Sequence, residues 1–518
     1  MTPQISELGQ EAGPLPSAVP LAVDLDGTLS RTDTLHEAAL ALVCRRPAAA
    51  LSLPAWLRGG KVALKQEIAA RQPLDPEAIP YDPHVLELIA EARAEGRQVI
   101  LISAAHHSYV EAIAAHLGLF DEAVGVGSDG VGDVNLSGTN KADWLIRRFG
   151  AGNFDYIGNA AADIPVWRAA RRALVIRPSA RLAAAAARAN PDVVALGPEN
   201  SGWVARRLKP CLRAMRPHQW VKNLLILVPL LTAQHFEALG MGLLAMLVFS
   251  LTASGVYVMN DLTDLRADRI HPRKRRRPFA AGDLTTVDGV VLAILLFGLS
   301  GSLAVLLAPP AFVSVLILYV IVTCAYSLWL KRKLLVDIIT LAGLYTIRVL
   351  AGAAAVGLST SFWLLSFSMF MFFSLAAIKR QAELLDHRNT EKDPGQGKPS
   401  GRGYYVGDLP VVRGMAIASG QAAVLVFALY ANSDSTRALF EAPGVVWLAC
   451  PVLFFWLSRM ELMTERGFMN DDPIVFAARD RMSVVSGLLI ILILILAATG
   501  WGAHWLELLG WNATLDVA

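Results

Sequence analysis

Residues 240–268 read GMGLLAMLVFSLTASGVYVMNDLTDLRAD, an apolar stretch long enough to cross a bilayer that ends in a polar cluster. The cluster contains Asn260 and the acids Asp261, Asp264 and Asp268. On one continuous helix the three carboxylates would lie within about 60° of one face and span about 10 Å, enough length for two Mg²⁺ ions. Because like charges repel and charges at a membrane boundary are costly, we expect this cluster to bind Mg²⁺ for a diphosphate. The simpler alternative is a solvated helix end whose acids pair with Arg266 and Arg269.

The composition divides the chain into a soluble part and a membrane part. Of the 518 residues 54% are hydrophobic, and the mean hydropathy of +0.45 is too high for an ordinary soluble enzyme. Residues 20–195 alternate charged and apolar segments, which predicts an N-terminal α/β Rossmann-like domain. Residues 222–505 predict an all-α bundle of nine transmembrane helices. The predicted spans are about 222–237, 240–260, 286–307, 311–330, 335–357, 361–379, 411–431, 443–459 and 483–503.

Three segments lie outside these two parts. We predict that residues 1–19 are disordered, that 196–221 form an amphipathic juxtamembrane linker and that 506–518 are a tail. The first twenty residues have no basic region followed by an apolar one, so we expect no cleaved signal peptide. The four cysteines lack the spacing of a disulfide framework or a zinc site.

Lysine and arginine are distributed asymmetrically between the predicted loops. The loops on the side of the N-terminal domain carry nearly all of them, whereas the opposite loops and the tail carry only Arg437. Such an excess is typical of cytoplasmic loops. We therefore expect a multi-pass protein of the bacterial inner membrane, with the N-terminal domain and the acidic cluster in the cytosol. We expect no nucleic-acid partner, and homo-oligomers are possible.

Two carboxylates follow the first predicted strand of the N-terminal domain. Residues 23–29 read VDLDGTL, so Asp24 and Asp26 lie at the carboxyl end of a buried strand, where open α/β sheets bind ligands. Asp24 can attack a phosphorus centre and bind Mg²⁺. Asp26 can protonate the leaving oxygen and later activate water.

Further polar residues accompany two more predicted strands, at 98–102 and 154–157. They are Ser103, Lys141, Asn159 and Asp163. A hydroxyl at the end of the second strand can bind a phosphoryl oxygen, and a lysine at the start of a helix can neutralise phosphate charge.

In this order, the residues resemble the four motifs of the haloacid-dehalogenase phosphatase superfamily, over about residues 20–190. The resemblance implies that Asp24 is the nucleophile, Asp26 is the general acid and base, and the serine and lysine bind phosphate. It also implies a Mg²⁺ site formed by Asp24, Asp26, Asn159 and Asp163. The family usually has Asp at position 159, so the Asn here implies weaker metal binding or slower turnover. The alternative is a retained regulatory or folding module.

Residues 31–81 read as helical and predict a small cap over this site. The cap carries the cations Arg31, Lys61, Lys65 and Arg71. They either face an anionic substrate or form a solvated helix face.

The second half of the membrane part offers a different set of polar residues. Tyr326 and Lys331 precede a predicted helix in which Asp337 and Arg348, about three turns apart, share a face. Cations beside an acid suit a site for a phosphorylated sugar and an anionic lipid phosphate, which an all-acid site would repel. The alternative is a buried ion pair between Asp337 and Lys331.

Several cations at predicted cytosolic helix ends are candidates for binding phosphates. They are Lys222, Arg277, Lys331 and Lys379. Lys379 has an alternative role, an ion pair with Glu383 one helical turn later.

From about Arg216 to the end, the helices and the acidic cluster resemble the UbiA superfamily of intramembrane transferases. RPHQWVKN at 216–223, the cluster at 260–268 and RPFAAG at 277–282 resemble the decaprenyl-phosphate phosphoribosyltransferase branch more narrowly. The second multi-aspartate motif of the aromatic prenyltransferases is missing. The resemblance implies that Asp261, Asp264 and Asp268 act through Mg²⁺. Together with the polar residues of the second half, the predicted substrate-binding residues are Lys222, Asn223, Asn260, Arg277, Tyr326, Lys331, Asp337, Arg348 and Lys379.

The resemblance implies transfer of 5-phosphoribose from phosphoribosyl pyrophosphate to a polyprenyl phosphate, with release of pyrophosphate. The fused N-terminal domain suggests a second step, removal of the 5-phosphate from that product. One alternative is prenylation of an aromatic or quinone precursor by a prenyl diphosphate. Another is a lipid-phosphate binding or scaffolding protein without enzymatic activity.

Overall fold

The computed structural model describes residues 19–196, 203–390, 402–469, 472–499 and 501. The predicted disordered segment 1–19, apart from its last residue, lies outside the described residues. So do residues 197–202 of the predicted linker and the predicted tail at 506–518.

The chain divides into two compact units. The segment Val258–Leu292, which contains the acidic cluster and is named the acidic loop, belongs with the N-terminal domain. The first unit contains Met1–Ala214 and Val258–Leu292, and the second contains Met215–Tyr257 and Ala293–Ala518. Contacts between the N-terminal domain and residues 258–292 are therefore internal to one unit.

A six-stranded parallel sheet forms the centre of the N-terminal domain, with strand order β3-β2-β1-β4-β5-β6. The strands are β1 (Leu21–Val23), β2 (Val99–His106), β3 (Glu122–Val126), β4 (Asp155–Gly158), β5 (Arg172–Ile176) and β6 (Val193–Leu196). Successive side chains of a strand point to opposite faces, so Leu21 and Val23 join one hydrophobic cluster and Ala22 joins the other. Both faces of the sheet are covered, and the predicted α/β domain is confirmed.

Helices connect these strands, and three of them form the predicted cap. The helices are α1 (Thr34–Arg45), α2 (Ala49–Arg58), α3 (Gly60–Arg71), α4 (Pro83–Ala94), α5 (His107–Leu117), α6 (Thr139–Phe149), α7 (Ile164–Ala169) and α8 (Ala180–Ala189). Asp33 starts α1, because its side chain accepts the backbone N–H of His36. Leu42 of α1 and Ile68 of α3 pack with Tyr109 of α5, which attaches the cap to the domain.

Strand β2 is longer than the sequence predicts. The predicted strand ends at Ile102, before Ser103, but β2 continues to His106. Its pairing with β3 is irregular between Ile102 and His106, and there Ser103 Oγ accepts the backbone N–H of Ala105 at 3.0 Å. A side-chain hydrogen bond of this kind competes with the backbone hydrogen bonds between strands, which accounts for the irregular pairing. Ser103 lies within β2 and not after it.

The remaining helices follow in chain order. They are α9 (Trp203–Met215), α10 (Val228–Thr232), α11 (Leu239–Thr263), α12 (Leu265–Ile270), α13 (Thr286–Leu307), α14 (Pro310–Leu328), α15 (Val336–Ala355), α16 (Phe362–Thr390), α17 (Leu409–Ala431), α18 (Asp434–Leu439), α19 (Pro443–Val446), α20 (Ala449–Glu465), α21 (Pro473–Arg479) and α22 (Arg481–Ala498). In the described part of the chain, eight helices are long and apolar enough to cross a membrane. These stretches contain α11, α13, α14, α15, α16, α17, α20 and α22. The protein is a multi-pass helical membrane protein.

The ninth predicted span, at 222–237, is not a long helix. A 3-10 helix at Pro217–Leu227 is followed by α10, which has only 5 residues. The backbone of the 3-10 helix lies directly against α15: a Cβ at Gly352 would be only 1.9 Å from the carbonyl oxygen of Ile226. The segment also buries Lys222 and Asn223, so it lies within the bundle as an irregular element.

Candidate active sites

Asp24 is the centre of a buried polar network at the end of β1. Its Oδ1 accepts a hydrogen bond from Lys141 Nζ at 2.6 Å, and its Oδ2 accepts one from Thr28 Oγ1 at 3.2 Å. Burial raises the pKa of Asp24 to about 6, although the nearby Lys141 charge opposes the shift. Residues 24 and 141 are 117 positions apart, and the fold brings them into contact.

Asp26 lies two residues further on and connects to the cap. Its Oδ1 accepts the backbone N–H of Thr34, the first residue of α1, at 2.8 Å. Burial, followed by the neighbouring negative charge of Asp33, raises the pKa of Asp26 to about 7. A carboxyl group with this pKa can donate a proton near neutral pH, as a general acid requires.

Tyr156 links the lysine to the last of the four predicted motifs. Lys141 Nζ donates to the Tyr156 hydroxyl at 2.9 Å, and that hydroxyl donates to Asp163 Oδ1 at 2.8 Å. Asp163 Oδ2 accepts the backbone N–H groups of Asn159 and Ala160 at 3.1 and 3.0 Å. Sequence reasoning missed Tyr156, because a tyrosine within a buried strand reads as a packing residue.

Asn159 lies against the turn that follows Asp26. Gly27 has φ +76°, and a Cβ there would be 2.2 Å from Asn159 Nδ2. Within the described residues, no group of three or more His, Cys, Asp or Glu side chains could bind a metal ion alone. The donors that the sequence predicts here, the carboxylates of Asp24 and Asp26 and the amide oxygen of Asn159, are a set of hard oxygens. Such a set fits Mg²⁺, which keeps several waters and needs few protein ligands.

The predicted cap cations have different surroundings. Lys65 is buried, and its Nζ donates to the carbonyl of Ala104 at 2.5 Å and to Asn135 Oδ1 at 2.7 Å. Arg71 forms an exposed ion pair with Glu67 on the same helix. The cap therefore combines one lysine that reaches the strand of Ser103 with an ordinary solvated helix face.

The acidic cluster is not on one continuous helix. Helix α11 ends at Thr263, and Asp264 has φ −95° and ψ 12° as the residue before α12. The cluster therefore lies on two consecutive helices and not on one, and the shared face of its three carboxylates stays a prediction. Asp261 and Asp268 are each 2% exposed, and Arg277 NH1 lies 3.1 Å from Asp261 Oδ1 and 2.5 Å from Asp268 Oδ2. One cation thus bridges two of the three carboxylates.

The arginines beside the cluster have partners in the N-terminal domain. Arg266 Nε lies 2.6 Å from Asp75, and Arg269 pairs with Glu37 at 2.8 and 2.5 Å. The simpler alternative pairs these arginines with the cluster, but the structure pairs them with Asp75 and Glu37.

A second charged network is buried in the membrane bundle around Asp472. Its Oδ2 lies 2.7 Å from Lys222 Nζ, 3.1 Å from Lys379 Nζ and 2.7 Å from the hydroxyl of Tyr345. Burial alone would raise the pKa of Asp472, but the two lysines outweigh burial and lower it. Sequence reasoning assigned this aspartate no role, although its position before Pro473, where it caps α21, marks it as structured.

Arg348 lies beside the same tyrosine and binds the 3-10 segment. Its Nε donates to Asn223 Oδ1 at 2.9 Å, and its guanidinium lies 5.8 Å from the ring of Tyr345. The Lys222 ammonium is 5.9 Å from that ring. Two of the predicted phosphate-binding cations, Lys222 and Lys379, therefore converge around Tyr345 and Asp472 with Arg348, which is a predicted substrate-binding residue.

Asp337 belongs to a separate network. It is fully buried, 2.7 Å from Arg380, and accepts a hydrogen bond from the Tyr326 hydroxyl at 3.0 Å. Arg402 in turn donates to that hydroxyl at 3.1 Å. Among the described residues Asp337 therefore forms a close ion pair with Arg380, and not the alternative pair with Lys331. Sequence reasoning missed Arg380. Lys331 lies in a short 3-10 turn, Leu330–Arg332, after α14.

The class of protein is a membrane transferase with an attached hydrolase-like domain. It is defined by the apolar helices, the acidic cluster and the buried polar network around Asp24. A family model described as "UbiA prenyltransferase family" matches residues 224–467, and one described as "haloacid dehalogenase-like hydrolase" matches residues 21–168. The chain belongs to the UbiA prenyltransferase family and carries a haloacid-dehalogenase-like domain at its N-terminal end.

Relatives align either with most of this chain or with about half of it. The uncharacterized protein y4nM of Sinorhizobium fredii is 37% identical over 477 residues, which is 91% of this chain and 90% of that protein. Nodulation protein NoeC of Azorhizobium caulinodans is 34% identical and aligns with 55% of this chain and 92% of its own length. Decaprenyl-phosphate phosphoribosyltransferase of Mycobacterium tuberculosis is 31% identical and aligns with 52% of this chain and 88% of its own length.

Proposed function

We propose that the membrane part transfers 5-phosphoribose from phosphoribosyl pyrophosphate to a polyprenyl phosphate in a Mg²⁺-dependent reaction. In this reaction an oxygen of the lipid phosphate bonds to the anomeric carbon of the ribose. The bond from that carbon to pyrophosphate breaks, and its electron pair leaves with the pyrophosphate. We further propose that the protein lies in the bacterial inner membrane with its N-terminal domain in the cytosol, in accordance with the charge asymmetry of the loops.

The observation that carries this proposal is the buried group of cations in the membrane bundle. Lys222 and Lys379 share the carboxylate of Asp472, while Arg348 contacts the neutral Asn223. Among the described residues these contacts leave positive charge uncompensated, which favours binding of an anion such as a lipid phosphate. The mycobacterial relative, 31% identical, is named for a decaprenyl phosphate acceptor, which supports the same substrate class.

The acidic loop supplies the complementary chemistry. Asp261, Asp264 and Asp268 would bind Mg²⁺, which neutralises the charge of a leaving diphosphate when bound. Arg277, which already contacts two of these carboxylates, is suited to bind the departing pyrophosphate. Asn260 adds a side-chain amide near the end of α11. Its backbone carbonyl accepts the N–H of Asp264 at 2.9 Å.

The N-terminal domain would then remove the 5-phosphate of the product. Asp24 attacks phosphorus and forms an aspartyl phosphate, while Asp26 protonates the leaving ribose oxygen. A water that gives its proton to the Asp26 carboxylate then attacks phosphorus, the bond to Asp24 breaks and inorganic phosphate leaves. Lys141 and Ser103 bind the phosphoryl oxygens, and Mg²⁺ would be bound by Asp24 and Asp26 with Asn159 and Asp163 in support. Covalent fusion raises the effective concentration of the lipid intermediate at this domain.

Membranes containing the protein, incubated with phosphoribosyl pyrophosphate labelled in the ribose, test the transferase. We expect label in the lipid fraction, and we expect Asp261→Asn to reduce it by about a hundredfold or more, since a metal ligand is lost. Asp283→Asn is the matched control, because Asp283 is an acid of the same loop whose partner is the half-exposed Arg213. It should retain activity within about twofold.

Two outcomes would contradict the proposal. Absence of label in the lipid, together with transfer of a prenyl group from a labelled prenyl diphosphate, would establish the prenylation alternative. Retention of the protein's biological role in Asp261→Asn, without transfer of either label, would favour a lipid-phosphate binding protein.

A further inference from the structure

Helix α12, which carries the last carboxylate of the acidic cluster, is a weak element by itself. It has only 6 residues, Leu265–Ile270, and isolated helices of this length are unstable in water. The backbone carbonyl of Asn260 accepts the N–H of Asp264, and that of Asp264 accepts the N–H of Asp268, each at 2.9 Å, which joins α12 to the end of α11. Tertiary contacts fix the rest of its position. Three of those contacts are with the N-terminal domain in the same compact unit: Glu37, Asp75 and the carbonyl of Ala78.

Arg269 is the central contact of this helix. Its guanidinium donates to both oxygens of Glu37, at 2.8 and 2.5 Å, and to the carbonyl of Ala78 at 2.7 Å. The side chains of Arg269 and Glu37 are 7% and 8% exposed. Arg269 Nε also approaches the carbonyl of Ala280 at 3.4 Å. A single buried arginine thus joins the cap, α12 and the loop that follows α12.

The neighbouring ion pair differs in burial. The side chains of Arg266 and Asp75 are 73% and 29% exposed, although their atoms approach to 2.6 Å. An exposed pair contributes little because water and salt screen it. Loss of one partner of a buried pair is costly, because the other charge remains buried without compensation.

The buried pair is adjacent to the metal-binding carboxylates. Asp268 directly precedes Arg269 and pairs with Arg277, which also binds Asp261. On the other side, Glu37 lies in the first turn of α1, whose first N–H is donated to Asp26. A displacement of α12 would therefore move Asp268 relative to Asp261.

We propose that Glu37 of the cap is a positioning residue for the transferase: through Arg269 it fixes α12, so that Asp268 is placed to bind the Mg²⁺ of the diphosphate donor. The N-terminal domain is then a structural part of the transferase's metal site as well as a second enzyme. This inference rests on the proposed function for its kinetic consequence, and the contact itself is independent of that function.

The test is the Mg²⁺ dependence of label transfer by the full chain with Glu37→Gln. Glutamine keeps the size of the side chain and removes its charge. We expect the Mg²⁺ concentration for half-maximal transfer to rise about tenfold or more, with a smaller change in the rate at saturating Mg²⁺. Arg269→Lys, which keeps the positive charge, should show an intermediate shift. Asp75→Asn, which removes the charge that pairs with the exposed Arg266, should stay within about twofold of the original protein.

Hydrogen exchange of the backbone amides of α12 gives a readout that does not require activity. We expect faster exchange at residues 265–270 in Glu37→Gln and unchanged exchange in Asp75→Asn. An unchanged Mg²⁺ requirement in an active Glu37→Gln protein would overturn the inference. So would unchanged exchange of α12, or fast exchange throughout the molecule, which would reveal a general folding role. A protein whose original sequence transfers no label contradicts the proposed transferase, and the exchange experiment still decides whether Glu37 fixes α12.

Discussion

At the scale of single residues, Gly27 shows how the haloacid-dehalogenase-like site depends on backbone geometry. Its φ of +76° favours glycine, and Asn159 Nδ2 occupies the space that a Cβ would need, at 2.2 Å. Asp26 precedes it, so any shift of this turn moves the proposed general acid. The turn and the amide side chain are therefore one structural feature of the site.

We predict that Gly27→Ala abolishes phosphate release, while Gly118→Ala does not. Gly118 also has a left-handed backbone, with φ +62°, but a Cβ there would meet no atom within 4 Å. Both changes should lower the free energy of unfolding by about 1 kcal/mol through backbone strain, and Gly27→Ala should also displace Asn159. Phosphate release and thermal unfolding of both variants measure the two effects. Equal phosphate release by the two variants would contradict this account of the turn.

At the scale of elements, the irregular segment before the first long helix fixes the position of two polar residues. The 3-10 helix Pro217–Leu227 carries Lys222 and Asn223 into the bundle and approaches α15 at Gly352. At membrane depth such irregular backbone is tolerated only where it is buried in protein or lines a water-filled cavity. The position of Lys222 beside Asp472 therefore depends on one close approach between two backbones.

A pair of glycines in α15 tests this dependence. A Cβ at Gly352 would be 1.9 Å from the carbonyl oxygen of Ile226, whereas a Cβ at Gly343 would meet nothing within 4 Å. We predict that Gly352→Ala displaces the 3-10 segment and lowers transfer by about tenfold or more. Gly343→Ala should leave activity unchanged and stabilise the helix slightly, by about 0.5 kcal/mol. Label transfer and thermal unfolding in detergent would show both effects, and an active, stable Gly352→Ala protein would refute them.

The elements also show which features the sequence makes predictable. Apolar runs predict the eight long helices and the strand before Asp24, because burial in a sheet or a bilayer demands them. The break at Asp264 and the 3-10 segment depend on tertiary contacts that no local pattern contains. The same holds for pairs distant in sequence, such as Lys222 with Asp472. Motif residues were therefore identified, but most of their partners were not.

At the scale of the whole molecule, the proposed phosphatase and one part of the proposed transferase, the acidic cluster, share a structural unit. The N-terminal domain and residues 258–292 belong to the same unit, and Glu37 and Arg269 form a buried contact within it. The relative y4nM aligns with 91% of this chain, so the two parts also occur together in that protein. A shared unit is consistent with two consecutive steps on one lipid-linked sugar.

The most direct test of this account uses phosphoribosyl pyrophosphate with one label in the ribose ring and a different label in the 5-phosphate. We expect the original protein to place the ribose label in the lipid and to release the phosphate label as inorganic phosphate. Asp24→Asn should retain both labels in the lipid in equal amounts, because the nucleophile is lost. Equal retention of both labels by the original protein would contradict the second step, and absence of the ribose label from the lipid would contradict the account as a whole.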